Sequence, residues 1–271
     1  MTAPLDDVAF LARSGHRVDV LRTLVSEPRT RADLHDETGI SQPTLGRILG
    51  DFEDRNWVER HGHGYALTAA GALVADAFDD LLDTVEIVQN LGAVIQLLPT
   101  EEMDFDIRAF ADATVTSPEP GEALTHVTRL AELLYQTDHI RVLTPTIAPG
   151  PEEDRRQRAA AFLDSDRVSE GIVSAEAMQR EPLFDVGDEA SLGFLRTALE
   201  SGRVRLHVYD GPIPLLLMVA DGTAVLAPTD EHDTPVVVIE STNETVRSWV
   251  DAQLDAYRER ATELTTEDLP V

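Results

Sequence analysis

Several residue types and signals are absent from this 271-residue chain. It has no cysteine, which excludes disulfides, thiolate zinc sites and cysteine nucleophiles. All 22 basic residues are arginine, which leaves the chain without lysine. No apolar run approaches the ~20 residues needed to cross a bilayer, and the opening MTAPLDDVAF lacks the basic and apolar regions of a signal peptide. We therefore expect a soluble cytoplasmic protein with no membrane contact.

Catalytic signatures are also missing. The sequence has no GxSxG, P-loop, GxGxxG or HExxH motif, and without lysine it cannot form the histidine–lysine pairs of phospholipase-D-like enzymes. The run Asp230-Glu231-His232-Asp233 contains usable metal ligands, but an acidic loop is ordinary in so acidic a chain. We therefore expect no catalytic residues, no cofactor and no metal site.

Acidic residues outnumber basic ones by 50 to 22, which gives a formal net charge of −28. The imbalance is uneven, because residues 1–70 carry a net charge of −3 and residues 71–271 carry −25. A carboxylate-rich surface without lysine resembles the proteins of salt-accumulating haloarchaea, where a Debye length of about 3 Å at 1 M salt screens self-repulsion. The nearly neutral N-terminal segment is the part best suited to face phosphate.

The N-terminal 70 residues contain short helical patterns separated by clear breaks. An apolar stripe at helical spacing begins near Val8, is interrupted at Ser14-Gly15 and ends at Pro28. Thr30 is a natural N-cap for the next short helix, and Gly39 supplies the positive φ that a C-terminal cap prefers. We expect the following helix to bury Leu45, Ile48, Leu49 and Phe52.

Two helices joined by a short glycine-containing turn form a helix-turn-helix, whose second helix can lie in the major groove of DNA. Ser41 is expected to cap that helix, with Pro43 in its first turn. Arg47 is the best candidate for a base contact because its guanidinium can donate two hydrogen bonds to guanine. The alternative is an ion pair with Asp51 at i+4, and the alternative for the other candidates is a solvated surface position. The predicted DNA-binding residues are Ser41, Gln42, Thr44, Arg47, Arg29, Arg31, Arg60, His61 and His63.

Residues 57–67 are typical of two short strands around a glycine-containing tip, as in the wing of a winged helix. Thr68 then caps a long helix that is expected to run to about Leu98, where Pro99 stops it. Its apolar residues repeat near heptad spacing, which indicates a connecting or dimerising helix.

Two sets of residue runs carry a resemblance to known families. The first set is Phe10–Ser14, His16–Val18, Thr44–Arg47, Trp57–Arg60 and Tyr65–Thr68. It resembles haloarchaeal winged-helix transcription regulators related to the ArsR group. The second set is Leu97–Pro99, Val204–Gly211 with Pro214, and Ile239–Ser241 through Trp249 and Tyr257. It resembles the effector domain first described in a methanogenesis regulator, and the two resemblances together imply a dimeric regulator with an effector-sensing domain.

Residues 101–271 have the pattern of an α/β domain. The nearly continuous apolar run Ile213–Ala220 suits a strand covered on both faces. Asp210-Gly211 and Asp221-Gly222 are hairpin signals on either side of it, and they predict a mixed sheet. Strands are expected at 139–143, 204–209, 214–219, 224–227 and 236–240, and helices at 122–136, 152–164, 188–201 and 243–263.

Polar residues at predicted strand ends are candidates for ligand binding, because ligands often bind at the carboxyl ends of strands. These candidates are Thr144, Thr146 and Ser174, and the alternative is ordinary loop and cap chemistry.

The predicted fold class is α+β, with three parts. Residues 1–68 form a winged helix-turn-helix, residues 69–98 a connecting or dimerisation helix, and residues 99–271 a mixed α/β sensor domain. The predicted function is a homodimeric, sequence-specific DNA-binding regulator that senses a small-molecule effector. Two alternatives stay open: an enzyme-like C-terminal domain positioned by a winged helix that mediates protein contacts, and a structural DNA-associated protein that binds without sequence preference.

Overall fold

The computed structural model describes residues 3–118, 121–146, 165–180 and 189–269. The chain forms two units, Met1–Glu86 and Ile87–Val271. The first is mainly helical and the second is built on a sheet, so the expected α+β class is confirmed. The first elements are α1 (Pro4–Ala12), α2 (Gly15–Ser26), α3 (Arg31–Thr38), α4 (Gln42–Asp54), β1 (Val58–His61), β2 (Gly64–Leu67) and α5 (Ala69–Leu91).

The helix boundaries in the first unit follow the predicted breaks. The Thr30 hydroxyl accepts a hydrogen bond from the Asp33 amide while the Asp33 carboxylate accepts one from the Thr30 amide, which is a complete capping box for α3. Gly39 ends α3 with a φ of +70°. Ser41 occupies the expected cap position of α4 but makes no capping bond, because its hydroxyl lies 3.0 Å from that of Thr44 instead.

The core of the first unit contains the apolar face that the sequence predicts for α4. Leu45, Ile48, Leu49 and Phe52 are all at most 1% exposed. Phe52 and Trp57 lie 5.9 Å apart by ring centroid, so α4 packs against the start of the hairpin.

The hairpin of β1 and β2 is antiparallel and turns at Gly62-His63, where Gly62 has a φ of +57°. Its stem is anchored by Arg29, whose backbone N–H donates to the Tyr65 carbonyl at 3.0 Å and whose carbonyl accepts from the Tyr65 N–H at 2.8 Å. A Cβ on Gly64 would lie 2.6 Å from the Arg29 carbonyl oxygen, so this close approach requires glycine.

Helix α5 is shorter than the sequence predicts. Thr68 does cap it, since its hydroxyl accepts a hydrogen bond from the Gly71 N–H at 3.0 Å. The α-helix stops at Leu91 rather than near Leu98, because Gly92 adopts a φ of +54°. Residues Gly92–Leu97 continue as a 3₁₀ helix.

The second unit is an eight-stranded sheet within the described residues, with strand order β10-β6-β5-β4-β7-β8-β9-β3. Strands β4, β5 and β6 are parallel, and the remaining pairings are antiparallel, so the expected mixed sheet is confirmed. The strands are β3 (Thr114–Thr116), β4 (His139–Thr144), β5 (Val168–Ser174), β6 (Val204–Tyr209), β7 (Leu215–Ala220), β8 (Thr223–Pro228), β9 (Val238–Ser241) and β10 (Thr262–Leu264). The helices are α6 (Thr125–Gln136), α7 (Ala175–Arg180), α8 (Glu189–Glu200) and α9 (Glu244–Arg260).

Strand β7 confirms the expectation from its apolar run. Leu215 and Leu217 belong to one hydrophobic cluster and Leu216 and Met218 to another, so both faces of the strand are covered. The Asp221-Gly222 signal is a true hairpin turn between β7 and β8, with φ values of +45° and +87°.

The prediction of a hairpin turn at Asp210-Gly211 is wrong. Strand β6 pairs with β5 and β10, and β7 pairs with β4 and β8, so the chain passes two strands between β6 and β7. Strands β3, β5 and β10 were not predicted, whereas the predicted helix at 152–164 lies outside the described residues.

Arg141 ties the sheet to α9. Its guanidinium donates to the carboxylates of Glu170, Asp251 and Asp255, each at 2.7 Å. Burial alone would lower the pKa of Arg141, but these carboxylates outweigh burial and raise it. Three elements, β4, β5 and α9, are therefore joined at one side chain.

No described helix of the chain is both long enough and apolar enough to cross a membrane.

Candidate nucleic-acid interface

Helix α4 presents a polar face next to its buried one. Ser41 and Arg47 are exposed, and Thr44 is half-buried. The Arg47 side chain is 62% exposed, and its Nη1 atom lies 3.9 Å from Asp51 Oδ2. This long i,i+4 contact leaves the guanidinium available to another acceptor.

Arg31 and Gln42 hold each other across the turn between α3 and α4. The Arg31 guanidinium donates to the Gln42 carbonyl oxygen, and the Gln42 side-chain amide donates to the Arg31 carbonyl oxygen at 2.9 Å. A Cβ at Gly46 would lie 3.0 Å from Arg31 Nη2, so the small residue makes room for this arginine. Both predicted contact residues thus have a structural task in fixing the angle between the helices.

Arg60 projects from the hairpin and is tied to the end of α4. Its Nε donates to the Glu53 carboxylate at 3.0 Å, and its guanidinium carbon lies 4.3 Å from the Tyr65 ring centroid. The side chain is still 67% exposed. His61 and His63 are exposed on either side of Gly62 at the tip.

Arg29 lies at the base of the hairpin and pairs with two carboxylates. Its guanidinium contacts Glu27, and its Nε lies 2.8 Å from Glu37 Oε1. The hydrogen bond with Glu27 is the main cause that raises the pKa of Arg29, and Glu37 adds to it.

The structure therefore distributes the nine predicted residues over three neighbouring segments of the first unit. These are the start of α4, the hairpin, and the segment that leads into α3. Sequence reasoning found Asp51 as a partner of Arg47 because the spacing is helical. It missed Glu53 and Glu37, which pair with Arg60 and Arg29 across seven and eight residues without a periodic spacing that would mark them.

A cavity of about 430 Å³ lies at the edge of the sheet where β4 and β5 end. Ser174 is the predicted ligand residue that lines it. Its hydroxyl donates to the Pro145 carbonyl at 3.2 Å and accepts from the Ala177 N–H at 3.0 Å. The described lining residues are Pro145, Ser174, Glu176, Gly211, Pro212, Ile213, Pro214, Thr229, Asp230, Glu231 and Asp233.

Thr144 and Thr146 are adjacent to the cavity along the chain but do not line it. The Thr144 hydroxyl donates to the Thr146 carbonyl at 2.6 Å, which closes a local turn. Asp230, which also lines the cavity, closes its own loop by accepting from the Thr234 and His232 amides, and these two bonds hold its pKa below the ordinary range. Polar strand-end residues thus predict the edge of the sheet but not the orientation of each hydroxyl.

A larger depression of about 650 Å³ lies at the start of α6. Of the three charged residues that line it, Glu122, Arg129 and Glu132, the arginine already donates to both oxygens of Glu240 at 2.8 Å and to Glu132 at 3.2 Å. These carboxylates, Glu240 first, raise the pKa of Arg129. Because its arginine is already paired, the depression is a weaker candidate for ligand binding than the cavity at the strand ends.

Solved structures show several likenesses to the chain. TrmBL2, an archaeal chromatin protein, is 14% identical with a TM-score of 0.41, over 97% of this chain and 100% of that one. A MarR family protein of Mycobacterium tuberculosis is 25% identical with a TM-score of 0.28, over 33% of this chain and 70% of that one. NucT from Helicobacter pylori is 8% identical with a TM-score of 0.39, over 56% of this chain and 98% of that one. Among curated proteins, no match is found.

Two family models match the chain. The HVO_A0261 N-terminal domain matches residues 5–90, which include α1 to α4 and the hairpin. The second model matches residues 124–260, which include α6 through α9 and six of the described strands. Because this match covers just over half of the 271 residues, the chain belongs to the family defined by the middle domain of the methanogenesis regulatory protein FilR1.

Proposed function

We propose that this protein is a homodimeric, sequence-specific DNA-binding transcription regulator whose C-terminal domain senses a small ligand. The observation that carries the proposal is the exposed polar face of α4, with Arg47 at its centre and Arg60 of the hairpin tied to its end. Membership in a family that is named for a regulatory protein supports it. No catalytic role is assigned to any residue.

In this proposal α3 and α4 form the helix-turn-helix and the β1–β2 hairpin is the wing. The first turn of α4 enters the major groove, where Ser41, Gln42 and Thr44 supply hydrogen bonds to bases or phosphates. Arg47 donates two hydrogen bonds to a guanine edge after leaving Asp51.

The remaining contacts position the protein on the phosphate backbone. Arg60, His61 and His63 approach it from the wing, and Arg29 approaches it from the base of the hairpin. Arg31 acts mainly by holding Gln42, which sets the angle at which α4 meets the groove.

The dimer proposal rests on α5. Its apolar residues Leu73, Leu81, Val85 and Val88 are between 41% and 73% exposed. Exposed apolar side chains at helical spacing are buried when the same helix of a second copy packs against them in a two-fold interface. In this proposal residues 1–68 bind DNA, residues 69–98 form the connecting or dimerisation helix, and residues 99–271 sense the ligand.

The sensing proposal rests on the cavity at the ends of β4 and β5. Parallel strands converge there at their carboxyl ends, the usual place for a ligand in an α/β sheet. Ser174 lines it, while Thr144 and Thr146 shape the adjoining turn. A ligand bound there would act by changing the spacing of the two DNA-binding units in the proposed dimer.

The test is a selection of DNA from a randomised duplex library by the full-length protein in molar KCl, followed by binding of the selected duplex. We expect a two-fold symmetric consensus that Arg47→Ala no longer binds selectively. Arg22→Ala is the matched control, because Arg22 is an exposed arginine of the same unit paired with Asp79 at 2.7 Å. Recovery of no consensus, or equal binding by the wild type and Arg47→Ala, contradicts the proposal. A monomer in sedimentation, free and bound to DNA, contradicts its dimer part.

A further inference from the structure

Three of the arginines proposed to contact DNA form ion pairs in the free protein. Arg47 is paired with Asp51, Arg60 with Glu53, and Arg29 with both Glu27 and Glu37. We call Arg29, Arg47 and Arg60 the paired arginines. Each one has at least one carboxylate beside its guanidinium.

A carboxylate and a phosphate compete for the same guanidinium. Both are anions that accept hydrogen bonds from its N–H groups, and placing both beside one guanidinium brings two like charges together. When Arg60 or Arg29 moves to DNA, its carboxylate partners face the polyanion without a cation, whereas Asp51 keeps Arg17, whose Nη2 lies 3.8 Å from Asp51 Oδ2. The solvent must then supply cations to neutralise the unpaired carboxylates.

Exposure makes this exchange easy. The side chains of Arg47 and Arg60 are 62% and 67% exposed, and those of Asp51 and Glu53 are 33% and 34% exposed. The Arg29 side chain is 19% exposed, but its partners Glu27 and Glu37 are 65% and 45% exposed. Ion pairs at such positions contribute little to stability because water screens them. The free protein therefore holds these arginines in place, and their release to DNA costs little free energy.

We propose that DNA binding by this protein takes up cations from solution, at the carboxylates that the paired arginines leave. The proposal rests on the function proposed above and adds its regulation by salt. An arginine that neutralises a phosphate releases counterions and lowers the logarithmic salt slope of the binding constant by about 0.9. Each carboxylate that gains a cation acts in the opposite direction. With three such carboxylates, Glu27, Glu37 and Glu53, for the two arginines assigned to phosphate, Arg29 and Arg60, affinity becomes nearly independent of KCl concentration or rises with it.

The experiment measures the binding constant of the full-length protein for its selected duplex across a range of KCl concentrations. The wild type is expected to show a flat or positive slope. Glu53→Gln removes one carboxylate partner and is expected to make the slope more negative by about 0.9 for each bound subunit. Asp51→Asn is expected to change the slope less, because Asp51 keeps Arg17 as a partner when Arg47 moves. A wild-type slope as negative as the number of arginine–phosphate contacts predicts overturns the proposal.

A matched control separates local exchange from general repulsion between an acidic protein and DNA. Glu59 precedes Arg60 on β1, is exposed, and forms no ion pair within the described part of the chain. Glu59→Gln changes the net charge as Glu53→Gln does, and it is expected to leave the slope unchanged. Equal shifts in the two variants overturn cation uptake at the paired carboxylates while leaving sequence-specific binding intact. Failure of the selection at every salt concentration instead overturns the proposed function, and cation uptake with it.

Discussion

Arginine–carboxylate pairs occur in both units of the molecule, but they hold their partners differently. In the first unit, Arg47 is 62% exposed and lies 3.9 Å from a single Asp51 oxygen. In the second, Arg141 is 27% exposed and is held at 2.7 Å by three carboxylates, of which Glu170 is only 12% exposed. The same kind of ion pair therefore gives a contact that another anion can replace in the first unit and a stable connection between elements in the second.

Exposure and the number of partners decide between the two outcomes. A solvated pair contributes at most about 1 kcal/mol, so a competing anion can replace one partner. The half-buried network resists such exchange, because loss of Arg141 would leave Asp251 without its donor and would leave Glu170 and Asp255 with Arg258 alone. The number of ion pairs in this acidic chain therefore says little about stability until the exposure of each pair is known.

The largest effect is expected at Arg141. Arg141→Met keeps much of the side-chain length but leaves Glu170, Asp251 and Asp255 without their shared donor. We expect the free energy of unfolding to fall by about 3 kcal/mol, as measured by denaturant titration of the full-length protein. Arg205→Met on β6, which is separated from β4 by β5, is the control and should change it by less than about 0.5 kcal/mol. A loss below about 1 kcal/mol at Arg141 would place its network among the exchangeable pairs.

The next effect is expected at Arg47, in binding and not in stability. Arg47→Ala should weaken binding to the selected duplex by about 1–3 kcal/mol, since a bidentate contact to guanine is lost. The free energy of unfolding should stay within about 0.5 kcal/mol of the wild type. Fluorescence anisotropy with labelled duplex and denaturant titration measure the two quantities. A variant that loses stability and affinity together would show that Arg47 is a structural residue.

A smaller effect is expected at Asp112, which the second unit uses as a local tie. Its carboxylate accepts from the Ser241 hydroxyl, the Thr242 amide and the Thr242 hydroxyl at 2.6 to 2.7 Å. Burial alone would raise the pKa of Asp112, but these bonds outweigh it and lower the pKa. Because the folded pKa is below the unfolded value of about 3.9, the stabilisation is present above that pH and is lost as the pH falls through the folded pKa.

Asp112→Asn should therefore lower the free energy of unfolding by about 1 kcal/mol at neutral pH, after allowance for solvent screening. It should also flatten the decline of stability below about pH 4. Thermal unfolding followed from pH 7 to the acid limit provides the measurement. Asp104→Asn is the control, because Asp104 is an exposed carboxylate in the same unit. If the stability of Asp112→Asn declined with acid as steeply as that of the wild type, Asp112 would not contribute to the acid response.

The smallest effect is expected for Glu53→Gln in the absence of DNA. The pair with Arg60 is exposed, so the free energy of unfolding should change by less than about 0.5 kcal/mol. Denaturant titration beside Glu59→Gln measures the difference. A loss above about 1.5 kcal/mol would mean that Arg60 is fixed to α4 as firmly as Arg141 is fixed to α9.

Local signals predicted the first unit well because its contacts are close in sequence. The capping box at Thr30, the positive φ at Gly39 and the buried face of α4 all follow from spacing and residue type. The end of α5 did not, because glycine within an apolar pattern is often tolerated in a helix and Gly92 here leaves it. The candidate base contact, Arg47, was identified by its helical position.

The second unit was harder because its decisive contacts are remote in sequence. Strand β5 was missed since Glu170 and Gly171 interrupt its apolar pattern. A Cβ at position 171 would lie 3.0 Å from the Leu206 side chain, which would have to shift to make room for it. The contact between Arg141 and Asp251 spans 110 residues, so no periodicity could have revealed it. The cavity likewise combines loops whose proximity depends on the strand order.

The way the hairpin is anchored makes its tip a place for spectroscopic labels. The stem is held to Arg29 by two backbone hydrogen bonds, whereas His63 at the tip is exposed. Since the chain contains no cysteine, His63→Cys would create a single thiol for a fluorophore or spin label. In the proposed dimer the two labels would report the distance between the two hairpins, and a change in that distance on adding a ligand would measure how the proposed sensing reaches the proposed DNA-binding face.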